Sequence, residues 1–528
     1  MRHVVLCGLP GSGKTTVGKL FAEQQQKNFI DLDAAICARA GASVSEIFAQ
    51  QGESAFRAFE QFELGHLQAL TEPSVIALGG GAIASHSGFE TASALGDLIW
   101  LSVAPHVAAT RLHAHTDRPL LGGGNRLKSL RTLLTQRSRY YGRADVIVDA
   151  RDDMKTVAKR IATQFNSPAA KIIVQSQHGD YPVRFSLGDV ETLAVQIAAF
   201  VGDRRAIVIG DLQLATSLDT LVDALNKHSV SVSSLHLPAG ESLKSFTAFE
   251  NLLRELMTRE ITRDSILIAV GGGSLIDSVG FAAAIYTRGI PWICVPTTLL
   301  SMVDSSIGGK VGINMEGTKN LLGAFYPPLC VLTHLHWLIT LPDDEIRSGI
   351  GEMLKVAATH DDKLFAALTQ TKIEDFRHHD QQCLTLVVQA AAIKARVVSA
   401  DEFEHNLRRV LNFGHTFGHA FEAAAQLSGL RHGEAVMLGM IAVSEFAMAK
   451  KQVAPEVLKA LTLAANILGL KTDWRRFAAA GAKFLQYDKK RMDNEIRLVI
   501  VPKIGTFAWL DVTLFELVQF LQHAGDKQ

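Results

Sequence analysis

The stretch Val4-Val5-Leu6-Cys7-Gly8-Leu9-Pro10-Gly11-Ser12-Gly13-Lys14-Thr15 decides the fold of the first part of the chain. Its first four residues are apolar and partly β-branched, which predicts a short buried parallel strand. The rest matches the pattern G-x4-G-K-[ST], and a helix is predicted from about Lys14. A glycine turn between a strand and a helix lets backbone N–H groups surround phosphates. We therefore predict a nucleotide-binding loop in which Lys14 meets the β- and γ-phosphates and Thr15 offers a hydroxyl to magnesium.

Further apolar runs at Val75 to Leu78, Leu98 to Leu101 and Val146 to Val148 are separated by stretches of helix length. This alternation predicts an α/β domain with a parallel sheet over residues 1–165. A breaker-rich stretch then predicts a linker at 166–171, of the kind found between independently folding units.

Beyond the linker, buried strands are predicted at Ala206 to Ile209, Ile266 to Val270 and Trp292 to Val295, with a helix from Phe246 to Glu260 between them. These elements predict a second α/β domain at 172–336.

The last part of the chain, 337–528, is predicted to be mainly helical. Alanine-rich segments such as Leu384 to Ser399 and Glu434 to Lys450 carry apolar residues at helical spacing. The apolar run Ile496 to Val501 is the predicted exception, a short strand.

Composition limits the possible classes of protein. The 528 residues are 48% hydrophobic and 20% charged, which is typical of a globular fold and not of disorder. Because 53 Lys and Arg balance 53 Asp and Glu, no bulk positive field attracts nucleic acid or an anionic membrane. The five cysteines form no CxxC pair, and no long apolar segment or leader stands out, so we expect a soluble cytoplasmic protein without a disulfide framework.

Polar residues of the first part suggest an acceptor site beside the nucleotide. Asp33 follows a predicted strand, where it could orient a hydroxyl or simply cap a helix. Arg57 lies on a predicted helix, and Gly79-Gly80-Gly81 allows close approach of a ligand to the backbone. Arg118 lies in a glycine-flanked loop that could close over the transferring phosphoryl group.

In this order the motifs resemble the shikimate kinases over about His3 to Asp149. The resemblance implies that ATP with magnesium binds at Gly11, Ser12, Gly13, Lys14, Thr15, Thr16 and Arg118. It implies that shikimate binds at Asp33, Arg57, Gly79, Gly80, Gly81 and Arg137, with Asp33, Lys14 and Arg118 catalytic. The family's proline after the second arginine is absent here, so Arg139 remains an alternative to Arg137.

A metal site is indicated in the helical part. His415 and His419 are four residues apart and so share a helix face, and His432 follows closely. Neutral imidazoles with a carboxylate such as Glu352 suit a catalytic zinc ion with one open position. Taken alone, each histidine pair is more often structural, and Glu352 with Lys355 could be a surface ion pair.

The run Ile266 to Val270 followed by Gly271-Gly272-Gly273-Ser274-Leu275-Ile276-Asp277 is a strand, a glycine turn and a helix start. This arrangement suits a pyrophosphate at a helix N-terminus, although it is not GxGxxG.

These motifs, together with others in order from Lys171 to Gly505, resemble 3-dehydroquinate synthase. The others are Gly240-Glu241-x2-Lys244, Tyr286 to Gly289, Pro296-Thr297-Thr298, Met302 to Lys310, Lys319-Asn320, Glu352-x2-Lys355, Arg408 to His415 and His432-Gly433-Glu434.

The synthase resemblance implies zinc, or cobalt, on Glu352, His415 and His432, with His419 left for substrate. It implies NAD at Gly240, Glu241, Lys244, Gly273, Ser274, Asp277, Thr297, Thr298, Lys310 and Lys319. It implies heptulosonate phosphate at Arg288, Asp304, Asn320, Lys355, Lys394, Arg408, Asn412, His419 and Lys489, with Asp304, Lys310, Lys355 and His419 catalytic. Arg288 resembles the residue that the family donates across a homodimer, and Lys490 is an alternative to Lys489.

Two departures from the synthase pattern occur. Ala239 replaces a usual aspartate, and Asn406 stands where a glycine usually precedes Leu-Arg. The leading hypothesis is a bifunctional enzyme of the shikimate pathway. The alternatives are a nucleotide-sensing N-terminal module, or a C-terminal half that is a related sugar-phosphate cyclase or an alcohol dehydrogenase.

Overall fold

The computed structural model describes residues 2–112, 125–165, 170–316, 318–425, 430–488 and 495–525. The predicted fold class is confirmed: an α/β part is followed by a second α/β part and then by a mainly helical part.

The first part is a five-stranded parallel sheet in the order β2-β3-β1-β4-β5, with helices on both sides. All carboxyl ends of these strands meet at one edge, and the strand order reverses beside β1, where ligands bind in open α/β sheets. The strands are β1 His3–Cys7, β2 Asn28–Asp31, β3 Ser74–Ala77, β4 Gly96–Ser102 and β5 Val146–Asp149. The helices are α1 Lys14–Gln24, α2 Leu32–Ala40, α3 Val44–Leu67, α4 His86–Leu95, α5 Pro105–Arg111, α6 Arg126–Tyr141 and α7 Met154–Phe165.

The second part is a seven-stranded sheet in the order β6-β7-β14-β11-β10-β8-β9, in which only β6 pairs antiparallel, and a separate hairpin β12-β13 lies beside it. The strands are β6 Ala170–Val174, β7 Tyr181–Ser186, β8 Ala206–Asp211, β9 Val232–Leu237, β10 Ile266–Gly271, β11 Trp292–Pro296, β12 Lys310–Met315, β13 Thr318–Phe325 and β14 Val331–His334. The helices are α8 Val190–Val201, α9 Ala215–Lys227, α10 Phe246–Thr258 and α11 Gly273–Ile285.

The predicted linker 166–171 extends too far. Ala170 and Lys171 belong to β6, where they pair with Phe185 and Arg184 of β7. Pairings with residues thirteen and fifteen positions away leave no local signal in the sequence, whereas the preceding breaker residues are an obvious one.

In the described residues of the helical part lie eight α-helices and, as predicted near Ile496, a short strand that pairs with a second one. The helices are α12 Asp343–His360, α13 Asp362–Leu368, α14 Gln381–Ala400, α15 His415–Ala424, α16 His432–Ala449, α17 Pro455–Ile467, α18 Ala478–Asp488 and α19 Leu514–Gly525, and the strands are β15 Glu495–Ile500 and β16 Ala508–Thr513.

Helix α14 is long and apolar enough to span a membrane by length and composition alone. However, 61% of its most apolar window is buried inside the fold. Its Lys394 ammonium also forms an ion pair with Asp304 in the protein interior. Helix α14 is therefore best explained as a helix of the protein core.

Buried contacts connect the first part to the second. The Trp100 ring of β4 contacts Phe200 of α8 edge-on, at 5.5 Å between centroids. One contiguous apolar core includes residues from both parts. The two parts consequently share packing as well as a chain connection.

Candidate active sites

The predicted nucleotide loop lies between β1 and α1, at the carboxyl edge of the first sheet. Lys14 is buried, and its ammonium donates to the carbonyl oxygens of Gly8, at 3.0 Å, and Leu9, at 3.1 Å. The Ser12 hydroxyl is buried and has no hydrogen-bond partner among the described residues. Gly11 and Gly13 have positive φ, while Thr15 and Thr16 lie exposed in the first turn of α1. A buried donor without a partner and a lysine folded over the loop fit a phosphate ligand.

Thr15 meets a carboxylate that the motif alone did not assign. Its hydroxyl donates to Asp31 Oδ2 at 2.6 Å, and Asp31 ends β2 and caps α2. A hydroxyl and a carboxylate oxygen are ligands that Mg²⁺ accepts, directly or through water. The pair could therefore hold magnesium beside the nucleotide loop.

The predicted acceptor residues converge on the Gly79–Gly81 turn. A methyl group on Gly79 would lie 2.5 Å from Asp33 Oδ1, and one on Gly81 would lie 2.5 Å from Arg57 Nη1. Arg57 is held by Glu60 at 2.6 Å and by Glu53 at 3.0 Å. Burial raises the pKa of Glu60 although Arg57 opposes this effect.

The two alternative arginines of α6 point in different directions. Arg137 is buried, and its Nη1 donates to Gly80 O at 2.5 Å. Arg139 instead donates to His178 O in the second part of the chain, also at 2.5 Å. The structure therefore brings Arg137 to the acceptor site. Arg118, the predicted loop arginine, lies outside the described residues.

The predicted dinucleotide residues meet where β10 and β11 end. Lys244 Nζ lies 2.7 Å from Asp277 Oδ2, and burial raises the pKa of Asp277 to about 6 in spite of this lysine. Ser274 Oγ donates to Glu241 Oε2 at 2.9 Å, and Asn314, a residue the motifs missed, donates to Glu241 Oε1 at 2.7 Å. Gly273 begins α11 at this turn.

Of the four further predicted dinucleotide residues, Thr297 and Thr298 lie beside this turn. The Thr297 amide donates to Gly271 O at 3.0 Å, and Thr298 Oγ1 donates to Ser301 Oγ at 2.9 Å. The two predicted lysines of the hairpin instead pair with carboxylates of the helical part: Lys310 with Glu404, and Lys319 with Glu422. The hairpin thus lies between the nucleotide turn and the helical part. Gly240, the tenth predicted residue, is exposed.

Three imidazoles and one carboxylate form the candidate metal centre. Nitrogen atoms of His415, His419 and His432 all lie within 4.8 Å of one another. Glu352 Oε1 lies 3.9 Å from His415 Nε2 and 3.7 Å from His432 Nε2. Four tetrahedral ligands at 2.0–2.1 Å from zinc are about 3.3 Å apart, so this cluster is close to the required size.

The surroundings of the cluster also fit a metal ion. Glu352 is 1% exposed, and neither of its oxygens accepts a hydrogen bond from the described residues, although Lys355 forms an ion pair with it. His415 Nδ1 faces Phe413 O at 3.3 Å, and His432 Nδ1 faces Glu422 Oε2 at 3.2 Å. Such partners leave both Nε2 atoms as lone-pair donors. Burial lowers the pKa of His415, which keeps it neutral.

Close packing of helices brings these ligands together. A methyl group on Gly433 of α16 would lie 2.8 Å from Ser348 Cα of α12, and one on Gly351 would lie 2.7 Å from Gly433 C. Glu352 and His432 are the neighbours of these two glycines. The missing side chains therefore let the two ligands approach each other.

Buried cations lie next to the cluster. Lys355, Lys394 and Arg408 are 2%, 6% and 4% exposed. Lys394 Nζ lies 2.6 Å from Asp304 Oδ1, and burial lowers the pKa of Lys394. Arg408 lies against Gly308, so a side chain at that glycine would clash with its guanidinium. Lys355 and Lys394 already have carboxylate partners in Glu352 and Asp304. Three clustered cations can in addition bind the phosphate or the carboxylate of a ligand.

The remaining predicted substrate residues are more scattered. Asn412 donates to Glu404 Oε1 at 3.0 Å, and Asn320 accepts from Lys244 at the dinucleotide turn. Arg288 is exposed on the surface of the single chain. Lys489, and its alternative Lys490, lie outside the described residues.

The loop before Arg408 has Asn406 in place of the family's usual glycine, and hydrogen bonds to Asp401 fix its backbone. Asp401 Oδ2 accepts from the amides of Asn406, at 2.7 Å, and Arg408, at 3.0 Å. Asp401 Oδ1 accepts from the amide of His405 at 2.9 Å. The Asp401 carboxylate therefore stabilises this turn by hydrogen bonds, at a position where the family usually has the conformational freedom of a glycine.

Comparisons with known proteins agree with this division. The family model "Shikimate kinase" matches residues 10–166, "3-dehydroquinate synthase N-terminal" matches 234–348, and "3-dehydroquinate synthase C-terminal" matches 349–491. The 3-dehydroquinate synthase of Methylacidiphilum infernorum is 38% identical over 64% of this chain and 94% of that protein. The 3-dehydroquinate synthase of Vibrio atlanticus is 34% identical over 64% of this chain and 93% of that protein.

A solved structure resembles the same region. It is 2-epi-5-epi-valiolone synthase from Streptomyces hygroscopicus with NAD⁺ and Zn²⁺ bound, 27% identical, with a TM-score of 0.58 over 66% of this chain and 97% of that one. Fold and sites thus define a class of protein, a phosphate-loop kinase joined to a cyclase with nucleotide and metal sites. The chain belongs to the 3-dehydroquinate synthase family and carries a shikimate kinase domain in front of it. It is a bifunctional enzyme of the shikimate pathway that acts on small molecules.

Proposed function

We propose that residues 1–165 transfer a phosphoryl group from ATP to shikimate, giving shikimate 3-phosphate. The observation that carries this proposal is the convergence of Asp33, Arg57 and Arg137 on the Gly79–Gly81 turn. Two guanidinium groups suit a substrate carboxylate, and Asp33 can accept the proton of the attacking hydroxyl.

The nucleotide side of this reaction is supported by the loop residues. Lys14 and Ser12 would bind the phosphates, and Thr15 with Asp31 would hold magnesium. We propose Arg118 as a further contact of the transferring group, as the family resemblance implies. The alternative of a nucleotide-sensing module leaves the three acceptor residues without a role.

We propose that residues 170–528 convert 3-deoxy-D-arabino-heptulosonate 7-phosphate into 3-dehydroquinate and phosphate. The observation that carries this proposal is the cluster of Glu352, His415 and His432 beside the buried cations. Lys355, Lys394 and Arg408 would hold the phosphate and carboxylate of the substrate. Asp304 orients Lys394 through its ion pair.

Two bound cofactors would assist this second reaction. Zinc, or cobalt, on Glu352, His415 and His432 supplies a Lewis acid for substrate hydroxyls, and NAD supplies a reversible hydride acceptor. The bound NAD⁺ and Zn²⁺ of the valiolone synthase support this assignment. Lys244, Asp277 and Glu241 would position the dinucleotide, and His419 would contact substrate.

A related cyclase with another substrate is the second candidate. Two similar solved structures are a valiolone synthase and a deoxy-inosose synthase. The 3-dehydroquinate synthases are nevertheless more similar in sequence, at 34% and 38% identity against 27% for the valiolone synthase. We therefore favour the heptulosonate phosphate as substrate. We also propose a homodimer to which Arg288 contributes, and a cytoplasmic location.

One experiment on the full-length protein tests both activities. Phosphate release from the heptulosonate phosphate with trace NAD is measured before and after metal chelation, in parallel with shikimate-dependent ADP formation. We expect both activities, and chelation of zinc should abolish only the first when excess Mg²⁺ is restored. Phosphate release without ADP formation would leave the first part a nucleotide sensor. Stoichiometric accumulation of NADH would instead indicate a dehydrogenase.

A further inference from the structure

Helix α6 of the kinase part is also in contact with the synthase part. Arg131 Nε donates to Asp203 Oδ2 at 2.8 Å. Leu134 packs on Gly202, where a methyl group would lie 2.5 Å from Leu134 Cδ2. A methyl group on Gly142, the residue that follows α6, would lie 2.5 Å from Phe200 Cε1. One side of α6 is thus covered by α8 and the turn that follows α8.

The end of α6 is held by a buried arginine of the synthase sheet. Arg184 lies on β7 and is 2% exposed. Its guanidinium donates to Gly142 O at 3.1 Å, Ala144 O at 2.6 Å and Asp145 O at 3.1 Å. Burial lowers the pKa of Arg184 to about 10, so it remains charged at neutral pH. The carbonyl end of a helix stabilises such a cation.

The short connection between α6 and β5 is hydrogen-bonded to the synthase part through each of its backbone carbonyls. It consists of Gly142, Arg143, Ala144 and Asp145. Lys171 of β6 donates to the Arg143 carbonyl, the one that Arg184 does not contact, and also pairs with Asp145 Oδ1 at 2.8 Å. All the carbonyl groups of this connection therefore accept hydrogen bonds from two side chains of the synthase part.

Arg137 and Tyr141, in the last turns of α6, contact the acceptor site of the kinase. Arg137 Nη1 donates to Gly80 O at 2.5 Å, and the Tyr141 hydroxyl donates to the same oxygen at 2.8 Å. The Trp100 ring lies between Tyr141, at 5.6 Å, and Phe200, at 5.5 Å. A packed, hydrogen-bonded path consequently runs from β7 through α6 to the Gly79–Gly81 turn.

We propose that Arg184, in the synthase half, is a positioning residue of the kinase: it holds the end of α6 so that Arg137 and Tyr141 keep the acceptor turn in place. This inference rests on the proposed shikimate kinase function. The fusion then has a physical consequence, because part of the kinase site depends on the fold of the other enzyme.

The test uses the full-length protein with Arg184→Gln, Arg184→Lys and the control Arg377→Gln. Arg377 also donates to a backbone carbonyl, that of Leu341 at 2.7 Å, but it lies in the helical part. We expect Arg184→Gln to raise the KM for shikimate about tenfold, the size of one charge-assisted hydrogen bond. The KM for ATP and the synthase kinetics should not change. Arg184→Lys should recover part of the loss, and Arg377→Gln should leave the KM for shikimate unchanged.

The outcomes separate a positioning role from a merely structural one. A loss of folded enzyme lowers kcat and leaves the KM for shikimate unchanged, and that result for Arg184→Gln would overturn the proposal. If Arg184→Gln does not fold, Lys171→Gln, at a less buried position, should raise the KM about threefold, and an unchanged KM would again overturn it. Absence of shikimate-dependent ADP formation in the unmodified protein would refute the proposed kinase function itself.

Discussion

Charged side chains at individual residues define both sites. Glu352 is a buried carboxylate whose oxygens accept no hydrogen bond from the described residues, and Lys355 alone cannot satisfy both of them. Asp33 lies beside Gly79, in the first turn of α2. Because an unsatisfied buried charge is costly, a carboxylate such as Glu352 persists where a ligand completes its interactions.

Replacement of Glu352 by glutamine should empty the metal site. The amide removes the negative charge from the cluster, so metal affinity should fall by about a hundredfold or more. Elemental analysis of the purified protein measures this directly. The control is Glu345→Gln on the same helix, where Arg431 lies 3.1 Å away and no histidine of the cluster is involved. Full metal retention by the Glu352 variant would contradict the assignment.

Asp33→Asn should disable the kinase alone. Loss of a general base lowers kcat by about 10²- to 10⁴-fold, and the synthase site does not contain Asp33. Shikimate-dependent ADP formation and phosphate release, measured on the same preparation, provide the comparison. Asp97→Asn, at a similarly half-buried position on β4, is the matched control. Equal kcat values for the variant and the unmodified protein would exclude Asp33 as a base.

At the scale of elements, the metal centre depends on how closely α12 and α16 cross. Their contact is made by Gly351 and Gly433, and the adjacent residues Glu352 and His432 are brought into the cluster as a result. The helices supply the ligands, but the absence of side chains at the crossing sets the separation between them.

Gly433→Ala should weaken metal binding although it replaces none of the metal-binding side chains. The new methyl would lie 2.8 Å from Ser348 Cα and 2.6 Å from its carbonyl carbon, so the helices must separate. Overpacking of this kind costs about 1–3 kcal/mol, and we expect metal affinity to fall at least about tenfold. Competition with a chelator measures it. Gly65→Ala in α3, where a methyl meets open space, should leave affinity unchanged. Equal affinities for both variants would contradict this account.

At the scale of the whole molecule, charged groups join the two enzymes. His228, after α9, lies 2.7 Å from Glu191 of α8 and 3.3 Å from Asp149 at the end of β5, and Arg151 also contacts it. The hydrogen bond with Asp149 raises the pKa of His228 above 6.5, although burial and Arg151 oppose the shift. Protonated His228 therefore binds a carboxylate of each half.

This arrangement predicts a pH-dependent contribution to stability. Because the folded-state pKa of His228 is raised, its stabilising effect is full below pH 6.5 and is lost as pH rises through the raised value. The Tm difference between the unmodified protein and His228→Gln should be larger at pH 6 than at about pH 9. His523→Gln, exposed on α19, serves as the control. A constant Tm difference would contradict the prediction.

Local sequence patterns were sufficient to predict the nucleotide loop and most of the helices and strands. The G-x4-G-K-[ST] pattern between a strand and a helix is a local feature, and the structure has that strand and helix at His3–Cys7 and Lys14–Gln24. The same holds for His415 and His419, because a spacing of four residues places two side chains on one helix face whatever the surroundings.

Partners from distant segments were not predictable. Three such partners come from elements other than that of the residue they contact, and no periodicity connects the two members of a pair. They are Asp31, which accepts a hydrogen bond from Thr15, Glu422, which contacts His432, and Asn314, which donates to Glu241. The predicted linker includes the first two residues of β6 for the same reason, since only pairing with β7 defines that strand.

The sequence by itself determined that the chain has a phosphate loop, a histidine cluster and a glycine turn after a buried strand. It did so because backbone geometry converts short spacings into shared faces and turns. Only the tertiary structure decided that Arg137, and not Arg139, lies at the acceptor turn, and that Arg184 holds the end of α6. Those contacts depend on which elements pack together, and packing is a property of the whole fold.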